Sequence, residues 1–326
     1  MSASLNRRDF IRAAAGGGAV VATSALPAFG GDGTADFSRR GWSQRLSLAY
    51  GRIKAGAEKP FSLLHISDTH LTAAYDDEEP KYVRLRNSQT PSFGGMQEEA
   101  LRDSLAWAKK NADLVVHTGD IMDWQSRANF DLVRKYFGAE IFGAIGNHDY
   151  FYSTWEVPYT ENEAYKRDTA EKLRKIYPFD ISFAAKVFNG VNFISIDNAY
   201  GTVTPEIVER FHDEVKKGLP IILAQHVPVY TPFIKLANRK YWSNGRRLDL
   251  GFARETLTSV DNQQHKNQLE DKTTADFIAY LKTEPLLKGI LAGHVHFTVQ
   301  ERFSPTATQF VVGGNYLFQG EEIVVA

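Results

Sequence analysis

The chain has 326 residues, of which 43% are hydrophobic and 24% are charged, a composition typical of a soluble globular protein that can bury a full core. A net charge of −1 gives no overall field that would attract nucleic acid or an anionic membrane, so we expect no dedicated nucleic-acid binding. The lack of cysteine excludes disulfides, thiolate-bound zinc, iron–sulfur clusters and a thiol nucleophile. Any metal must therefore be bound by His, Asp, Glu, Asn or water.

The first 28 residues have the layout of an export signal. A charged segment at residues 5–12 precedes a weakly apolar stretch rich in Ala and Gly, and its Arg-Arg-x-Phe-Ile-Arg core resembles a twin-arginine signal. A disordered basic N-terminus is the alternative interpretation. We expect residues 1–28 to be a signal peptide read by the twin-arginine export machinery, and the mature chain to be periplasmic or extracellular, without a membrane span. Residues 29–59 are expected to form a linker and N-terminal extension.

From residue 60 to the C-terminus the sequence predicts one domain, in which short apolar strands alternate with helices. The first strands are predicted at residues 61–66, 114–117 and 140–145. A helix is predicted at residues 97–111 between the first two, and another follows Ser126, a typical N-cap, and stops at Gly138. Strands that are apolar throughout and joined by helices favour a largely parallel sheet with buried faces, and hence an α/β fold.

The second half of the chain continues the pattern and adds one long insertion. The dipeptide Asn189-Gly190 predicts a hairpin turn, and Thr204-Pro205 predicts the start of a helix. Residues 229–272 are polar with weak periodicity, which predicts a lid-like insertion. Further helices are predicted at residues 170–177 and 274–281, and further strands at residues 220–224, 289–292, 310–312 and 323–325.

Five of the apolar strands end in residue types that bind metals. These residues are Asp68 and His70, Asp120, Asn147 and His148, His226, and His294 and His296. The Asp-x-His and His-x-His spacings place alternate residues on one side of an extended segment, so that both can reach one cluster. The pattern favours a two-metal site bridged by Asp120, against the alternative of five unrelated polar turns. Nitrogen and carboxylate ligands without thiolate favour Mn, Fe, Zn, Co or Ni.

The same motifs, in the same order, resemble those of the calcineurin-like metallophosphoesterases from about residue 61 to the C-terminus. The matching stretches are Asp68-x-His70, Gly119-Asp120-x-x-Asp123, Gly146-Asn147-His148-Asp149, His226-x-Pro228 and Gly293-His294-x-His296. The resemblance implies a β-sandwich of two mixed sheets flanked by helices, with a dinuclear centre at the C-terminal edge of the strands. It implies two divalent transition-metal ions, one held by Asp68, His70, Asp120 and His296, and one by Asp120, Asn147, His226 and His294.

The resemblance also implies a reaction, the hydrolysis of a small phosphate ester by a metal-bound hydroxide. In that reaction His148 would assist the leaving group without binding a metal, and Asp149 would hold the imidazole of His148. Asp123 occupies the position where purple acid phosphatases carry a tyrosine, which argues against a tightly held ferric ion. Asp123 itself is expected to be structural or to support a ligand.

The sequence leaves more than one substrate class open. A phosphodiester or nucleotide-like substrate is weakly favoured over a phosphomonoester, and a non-catalytic binding scaffold is disfavoured because the ligand set is complete. Cations and aromatic rings alternate within the insertion, and these could stack a base or clamp a phosphate, or could belong to a solvated lid. The residues concerned are Tyr241, Trp242, Arg246 and Arg247.

Two other histidines, His65 and His117, lie inside predicted strands. A histidine in a buried strand is expected to form hydrogen bonds within the core, so we predict neither to be a ligand.

Overall fold

The computed structural model describes residues 45–151, 163–241 and 271–326. The predicted signal peptide lies outside these residues, as do Trp242, Arg246 and Arg247 of the predicted insertion. Among the described residues, no helix combines the length and the apolar character needed to cross a membrane.

The described residues form two β-sheets. The strands, in chain order, are β1 (Ser47–Ile53), β2 (Phe61–Ile66), β3 (Leu114–Thr118), β4 (Ile141–Ala144), β5 (Phe183–Phe188), β6 (Val191–Ile196), β7 (Ile221–Ala224), β8 (Leu287–Ala292), β9 (Val299–Arg302), β10 (Thr308–Val311) and β11 (Gln319–Val325). The first sheet has the order β1-β11-β2-β3-β4, and the second has the order β5-β6-β7-β8-β10-β9. Strands β2, β3 and β4 are parallel to one another, as are β6, β7, β8 and β10, whereas β11, β5 and β9 add antiparallel pairs. Both sheets are therefore mixed, as expected.

Seven α-helices accompany the strands within the described residues. They are α1 (Pro80–Gln89), α2 (Gln97–Asn111), α3 (Arg127–Tyr136), α4 (Glu163–Arg174), α5 (Pro205–Val215), α6 (Pro232–Tyr241) and α7 (Lys272–Leu281). The predicted N-caps are present, since Ser126 Oγ accepts a hydrogen bond from the Asn129 amide and Thr204 Oγ1 accepts one from the Ile207 amide.

One hydrophobic core lies between the two sheets, and helices cover their outer faces. Leu63 of β2 packs with Phe193 and Leu291 of the second sheet in the shared core. The next residue, Leu64, points to the opposite face and packs with Leu101 and other residues of the first helical layer. Because both faces of the central strands are buried, those strands are largely apolar, and the polar residues His65 and His117 within them are themselves buried.

Several local predictions were wrong. The predicted linker contains β1, which pairs in parallel with β11 over seven residues. Helix α4 begins at Glu163 and ends at Arg174, earlier than predicted. Helix α6 lies inside the predicted insertion at residues 229–272, whose role as a lid stays a prediction. Ile234, Ala237 and Tyr241 recur at helical spacing on the side of α6 that packs with Ala292 and Val311 of the second sheet.

Candidate metal centre

The predicted ligands lie on the loops that follow β2, β3 and β4 of the first sheet and β7 and β8 of the second. Five of them have a positive backbone φ: Asp68 (54°), His70 (49°), Asp120 (54°), His294 (70°) and His296 (59°). Residues other than glycine rarely adopt this left-handed conformation, and it persists only where the surrounding structure holds it. Backbone strain is therefore concentrated at the strand ends that carry the predicted ligands.

The loops after β2, β3 and β8 together form one cluster of buried ligand atoms. The cluster comprises Asp68, His70, Asp120 and His296, with ligand atoms within 4.8 Å of one another. His70 Nε2 lies 3.2 Å from His296 Nε2 and 3.6 Å from Asp120 Oδ2. Asp68 Oδ1 lies 3.2 Å from His296 Nε2, so four ligand atoms converge on one point.

A second cluster shares Asp120 with the first. Asp120, His226 and His294 also have ligand atoms within 4.8 Å of one another. His226 Nε2 lies 3.3 Å from Asp120 Oδ2, 3.0 Å from His294 Nδ1 and 3.1 Å from Asn147 Oδ1. The structure thus brings all seven predicted ligands together, and it places the Asp120 carboxylate between the two groups.

These atoms fit two divalent cations. With metal–nitrogen bonds of about 2.0–2.1 Å, neighbouring ligands in tetrahedral or octahedral coordination lie about 2.8–3.4 Å apart. All the contacts above fall in this range except the 3.6 Å between His70 Nε2 and Asp120 Oδ2. Asp68 Oδ1 is buried and accepts no hydrogen bond from the described residues. A buried carboxylate oxygen without a donor is costly unless a cation completes its surroundings. The donor set is imidazole, carboxylate and amide, which suits transition metals.

The electrostatics of the clusters keep the carboxylates ionised. Burial acts to raise the pKa of Asp120, but the neighbouring imidazoles of His226 and His148 hold that pKa well below its usual value. Burial likewise opposes ionisation of Asp68, whose pKa His296 lowers. Burial alone would lower the pKa of His226, yet the charge of Asp120 raises it to about 9. The ionised carboxylates of Asp68 and Asp120 therefore make the clusters favourable for positive charge, whether on an imidazole or on a cation.

The nitrogens that face away from the clusters have partners of their own. His70 Nδ1 donates to Asp123 Oδ1 at 3.0 Å, and His226 Nδ1 donates to the Thr118 carbonyl at 2.7 Å. His296 Nδ1 lies 3.2 Å from Tyr316 Oη. Such partners fix the ring orientation and leave Nε2 as the nitrogen that faces a cation.

Asp123, rather than Asp149, contacts His148. His148 Nδ1 lies 2.7 Å from Asp123 Oδ1, and the His148 ring packs edge-on to the His70 ring with centroids 4.7 Å apart. His70, Asp123 and His148 also form a group of closely spaced ligand atoms, but Asp123 contacts the Nδ1 atom of both rings. Asp123 therefore orients two imidazoles at once.

The predicted contact between Asp149 and His148 is wrong. The buried Asp149 carboxylate accepts hydrogen bonds from the amides of Gly146 (2.8 Å), Ile121 (2.9 Å) and Met122 (3.0 Å), and from Tyr177 Oη (2.9 Å). His148 and Asp149 are consecutive residues of a 3-10 turn, in which adjacent side chains point about 120° apart. Asp149 thus joins the loop after β3 to the loop after β4. Burial and the charge of Asp120 raise the pKa of Asp149 to about 7.

Two glycines allow the ligand loops to pass close to one another. A Cβ atom on Gly293 would lie 1.9 Å from Ser67 Oγ, and one on Gly146 would lie 2.2 Å from Asp120 Oδ1. No larger residue fits at these crossings without moving a ligand-bearing loop.

Aromatic residues around the first cluster were not predicted. Phe93 stacks on His70 with ring centroids 4.5 Å apart, and Tyr316 contacts His296. Neither residue belongs to a metal-binding motif, so the sequence carries no signal for them. Tyr241, predicted as a substrate residue, packs against Phe297, with ring centroids 5.2 Å apart. Phe297 directly follows His296 in the chain. Its contact with a substrate stays a prediction.

The two strand histidines that we predicted to be core residues are fully buried. His65 Nε2 is 3.0 Å from Thr118 Oγ1, and His117 Nε2 is 2.9 Å from Thr69 Oγ1. Both predictions are confirmed.

A family model described as calcineurin-like phosphoesterase matches residues 61–297. The chain belongs to this family. It is accordingly a hydrolase of phosphoric ester bonds, and the family resemblance, its enzyme class and the two-sheet fold are confirmed. No curated protein sequence matches this phosphoesterase.

Several solved structures resemble this phosphoesterase. A dimetal phosphatase from Danio rerio has 14% identity and a TM-score of 0.44, over 78% of this chain and 88% of that one. A purple acid phosphatase from yellow lupin has 13% identity and a TM-score of 0.45, over 80% of this chain and 45% of that one. A 5′-nucleotidase from Candida albicans has 13% identity and a TM-score of 0.37, over 83% of this chain and 47% of that one. Likenesses at this level carry no argument about substrate.

Proposed function

We propose that this phosphoesterase hydrolyses a phosphodiester or nucleotide-like ester at a dinuclear centre, with His148 assisting the leaving group. The observation that supports the proposal is the position of Asp120 between two buried clusters of ligand atoms. Asp68, His70, Asp120 and His296 would hold one cation, and Asp120, Asn147, His226 and His294 the other. Two divalent cations bound there supply a water nucleophile at neutral pH and neutralise charge on the phosphate.

The position of His148 suits proton transfer. Its side chain is 18% exposed, whereas those of His70 and Asp123 are 1% exposed, so among these three it is the one open to a bound ester. Asp123 Oδ1 lies against Nδ1, which leaves Nε2 as the nitrogen that can hold a proton at the leaving oxygen. A positioned histidine of this kind contributes about 10²–10⁴-fold to the rate.

A rate profile tests the proposal. Purified protein would be freed of metal, reloaded with Mn²⁺, and assayed with p-nitrophenyl phosphate, bis-p-nitrophenyl phosphate and a nucleoside pyrophosphate. A higher kcat/KM for the diester supports the proposed substrate class, whereas a higher kcat/KM for the pyrophosphate would contradict it, because the bond broken there is a phosphoric anhydride. A higher kcat/KM for the monoester would make the protein a phosphomonoesterase with the same site. Failure to cleave any of the three would favour the binding scaffold instead.

We further propose that the chain is exported by the twin-arginine route. The support is the paired arginines and the small, weakly apolar stretch of residues 13–28. In a bacterial host, replacing both Arg7 and Arg8 with Lys should retain the protein in the cytoplasmic fraction, while Arg12→Lys serves as the charge-matched control. Equal export of the double variant and the control would contradict the twin-arginine route.

A further inference from the structure

We propose that Tyr316 is a positioning residue that fixes the ring of His296 and thereby completes the cation site of Asp68 and His70. The inference rests on the proposed function, because it assigns a role toward a cation bound in that cluster. Tyr316 lies in the C-terminal segment of the chain, outside all of the ligand motifs.

The contact between Tyr316 and His296 has the geometry of a ligand and its support. His296 Nε2 faces the cluster, 3.2 Å from both Asp68 Oδ1 and His70 Nε2, and Tyr316 Oη lies 3.2 Å from the opposite nitrogen, Nδ1. An imidazole that binds a cation through Nε2 carries its proton on Nδ1 and must donate it to an acceptor. The phenol oxygen has lone pairs to accept that proton. Tyr316 therefore accepts the Nδ1 proton in the tautomer that presents Nε2 to a cation.

The ring of Tyr316 is itself held in place. It is buried and packs edge-on against Phe93, with ring centroids 5.0 Å apart, and Phe93 in turn stacks on His70. The phenol and the two imidazoles of His70 and His296 thus form one packed aromatic group. A side chain locked by packing loses little further entropy when its hydroxyl forms a hydrogen bond, so it can fix the orientation of its neighbour.

The turn that carries Tyr316 is fastened to the loop that carries the other two ligands of the site. The backbone amide of Asn315 donates to the Ser67 carbonyl at 2.8 Å, and Thr69 Oγ1 donates to Asn315 Oδ1 at 3.2 Å. Asn315 Nδ2 donates to Ser104 Oγ of α2 at 2.8 Å. Residues 315–316 are thus held at a fixed distance from Asp68 and His70.

This turn lies beyond residues 61–297, the part of the chain that the family model matches. The support for His296 therefore comes from the C-terminal segment of this chain rather than from a family motif. The partners of His70 and His226, Asp123 and Thr118, both lie inside the matched region. Tyr316 therefore contributes to the site from a segment that contains no ligand motif.

The test is Tyr316→Phe, which removes the hydroxyl and keeps the ring. The matched control is Tyr280→Phe, which removes the part-buried phenol hydrogen bond from Tyr280 of α7 to Glu284. Cation-free wild type and both variants would be titrated with Co²⁺ by calorimetry, with visible absorption spectra recorded in parallel and thermal midpoints measured without metal. Loss of a partner of a metal-bound histidine typically weakens binding by about 10–100-fold.

We expect Tyr316→Phe to weaken one of the two Co²⁺ binding steps at least ~10-fold and to alter the Co²⁺ spectrum, with the other step unchanged. Its cation-free thermal midpoint should fall no further than that of Tyr280→Phe. Two unchanged binding steps would overturn the role of Tyr316 while leaving the proposed function intact. Equal weakening of both steps with a lower cation-free midpoint would reduce Tyr316 to a general structural residue. Absence of Co²⁺ binding by wild type would overturn the proposed function and the inference together.

Discussion

Substitution of Asp149 by Asn distinguishes a residue that fastens two loops from one that orients the catalytic histidine. The carboxylate accepts four hydrogen bonds, three on Oδ1 and one, from the Gly146 amide, on Oδ2. The least disruptive orientation of Asn keeps Oδ1 and directs its NH₂ group at the Gly146 N–H. One hydrogen bond to a charged group is lost, about 1.5–3 kcal/mol, and a buried donor is left unpaired, about 1–3 kcal/mol.

We therefore expect Asp149→Asn to lower the free energy of unfolding by about 2.5–6 kcal/mol. At roughly 2–4 °C per kcal/mol for a domain of this size, that corresponds to a fall in Tm of about 5–24 °C, measurable by scanning calorimetry. The assay would be run at pH 8, above the Asp149 pKa of about 7, so that wild type carries the ionised carboxylate. At 25 °C kcat should fall less than ~10-fold, because Asp123 still holds His148.

The matched variant is Asp123→Asn, which removes the carboxylate that contacts the Nδ1 atoms of His70 and His148. We expect it to lower kcat by about 10²-fold or more. The reasoning would be refuted if Asp149→Asn kept the wild-type Tm but lost activity as severely as Asp123→Asn. That result would mean that Asp149 supports His148 in a geometry other than the one observed.

Two further predictions concern the ligand loops. His148→Ala should lower kcat by about 10²–10⁴-fold while both cations remain bound, as counted by mass spectrometry of the metals; loss of a cation would show that His148 is a ligand. Gly293→Ala should weaken cation binding and lower the free energy of unfolding by several kcal/mol, measured by denaturant titration, because its Cβ would lie 1.9 Å from Ser67 Oγ and 2.5 Å from Asp68 Oδ2. Wild-type stability in that variant would contradict the close crossing of the two loops.

The elements that the sequence predicts well are those whose signal is local. Residues 61–66 and 97–111 were predicted with the observed bounds, because one is apolar on both faces and the other repeats its apolar residues along one helix face. The hairpin at Asn189-Gly190 was also predicted, since both residues have the positive φ that such a turn requires. Strand β1 was not predicted, because its partner β11 lies at the other end of the chain and no local sequence pattern indicates the pairing.

The seven predicted ligands were brought together because each follows a strand whose C-terminal end lies at the shared edge of the sheets. The sequence does not predict which carboxylate contacts the ring of His148. Asp149 follows His148 in the chain yet points to backbone amides, while Asp123, 25 positions before His148, contacts its ring. The sequence does not predict the role of Tyr316 for the same reason, since its hydroxyl reaches His296 only through the packing of the C-terminal turn.

We infer that two cations held by these clusters make the protein a phosphoesterase. The most direct measurement combines metal content and hydrolysis of bis-p-nitrophenyl phosphate on one sample, before and after chelation and after stepwise return of Mn²⁺. We expect activity to disappear with the metal and to be restored as bound Mn²⁺ approaches two ions per chain, with Asp120→Ala unable to bind the pair. Full activity in the metal-free protein, or an Asp120→Ala variant that binds two ions and retains the wild-type rate, would contradict the claim.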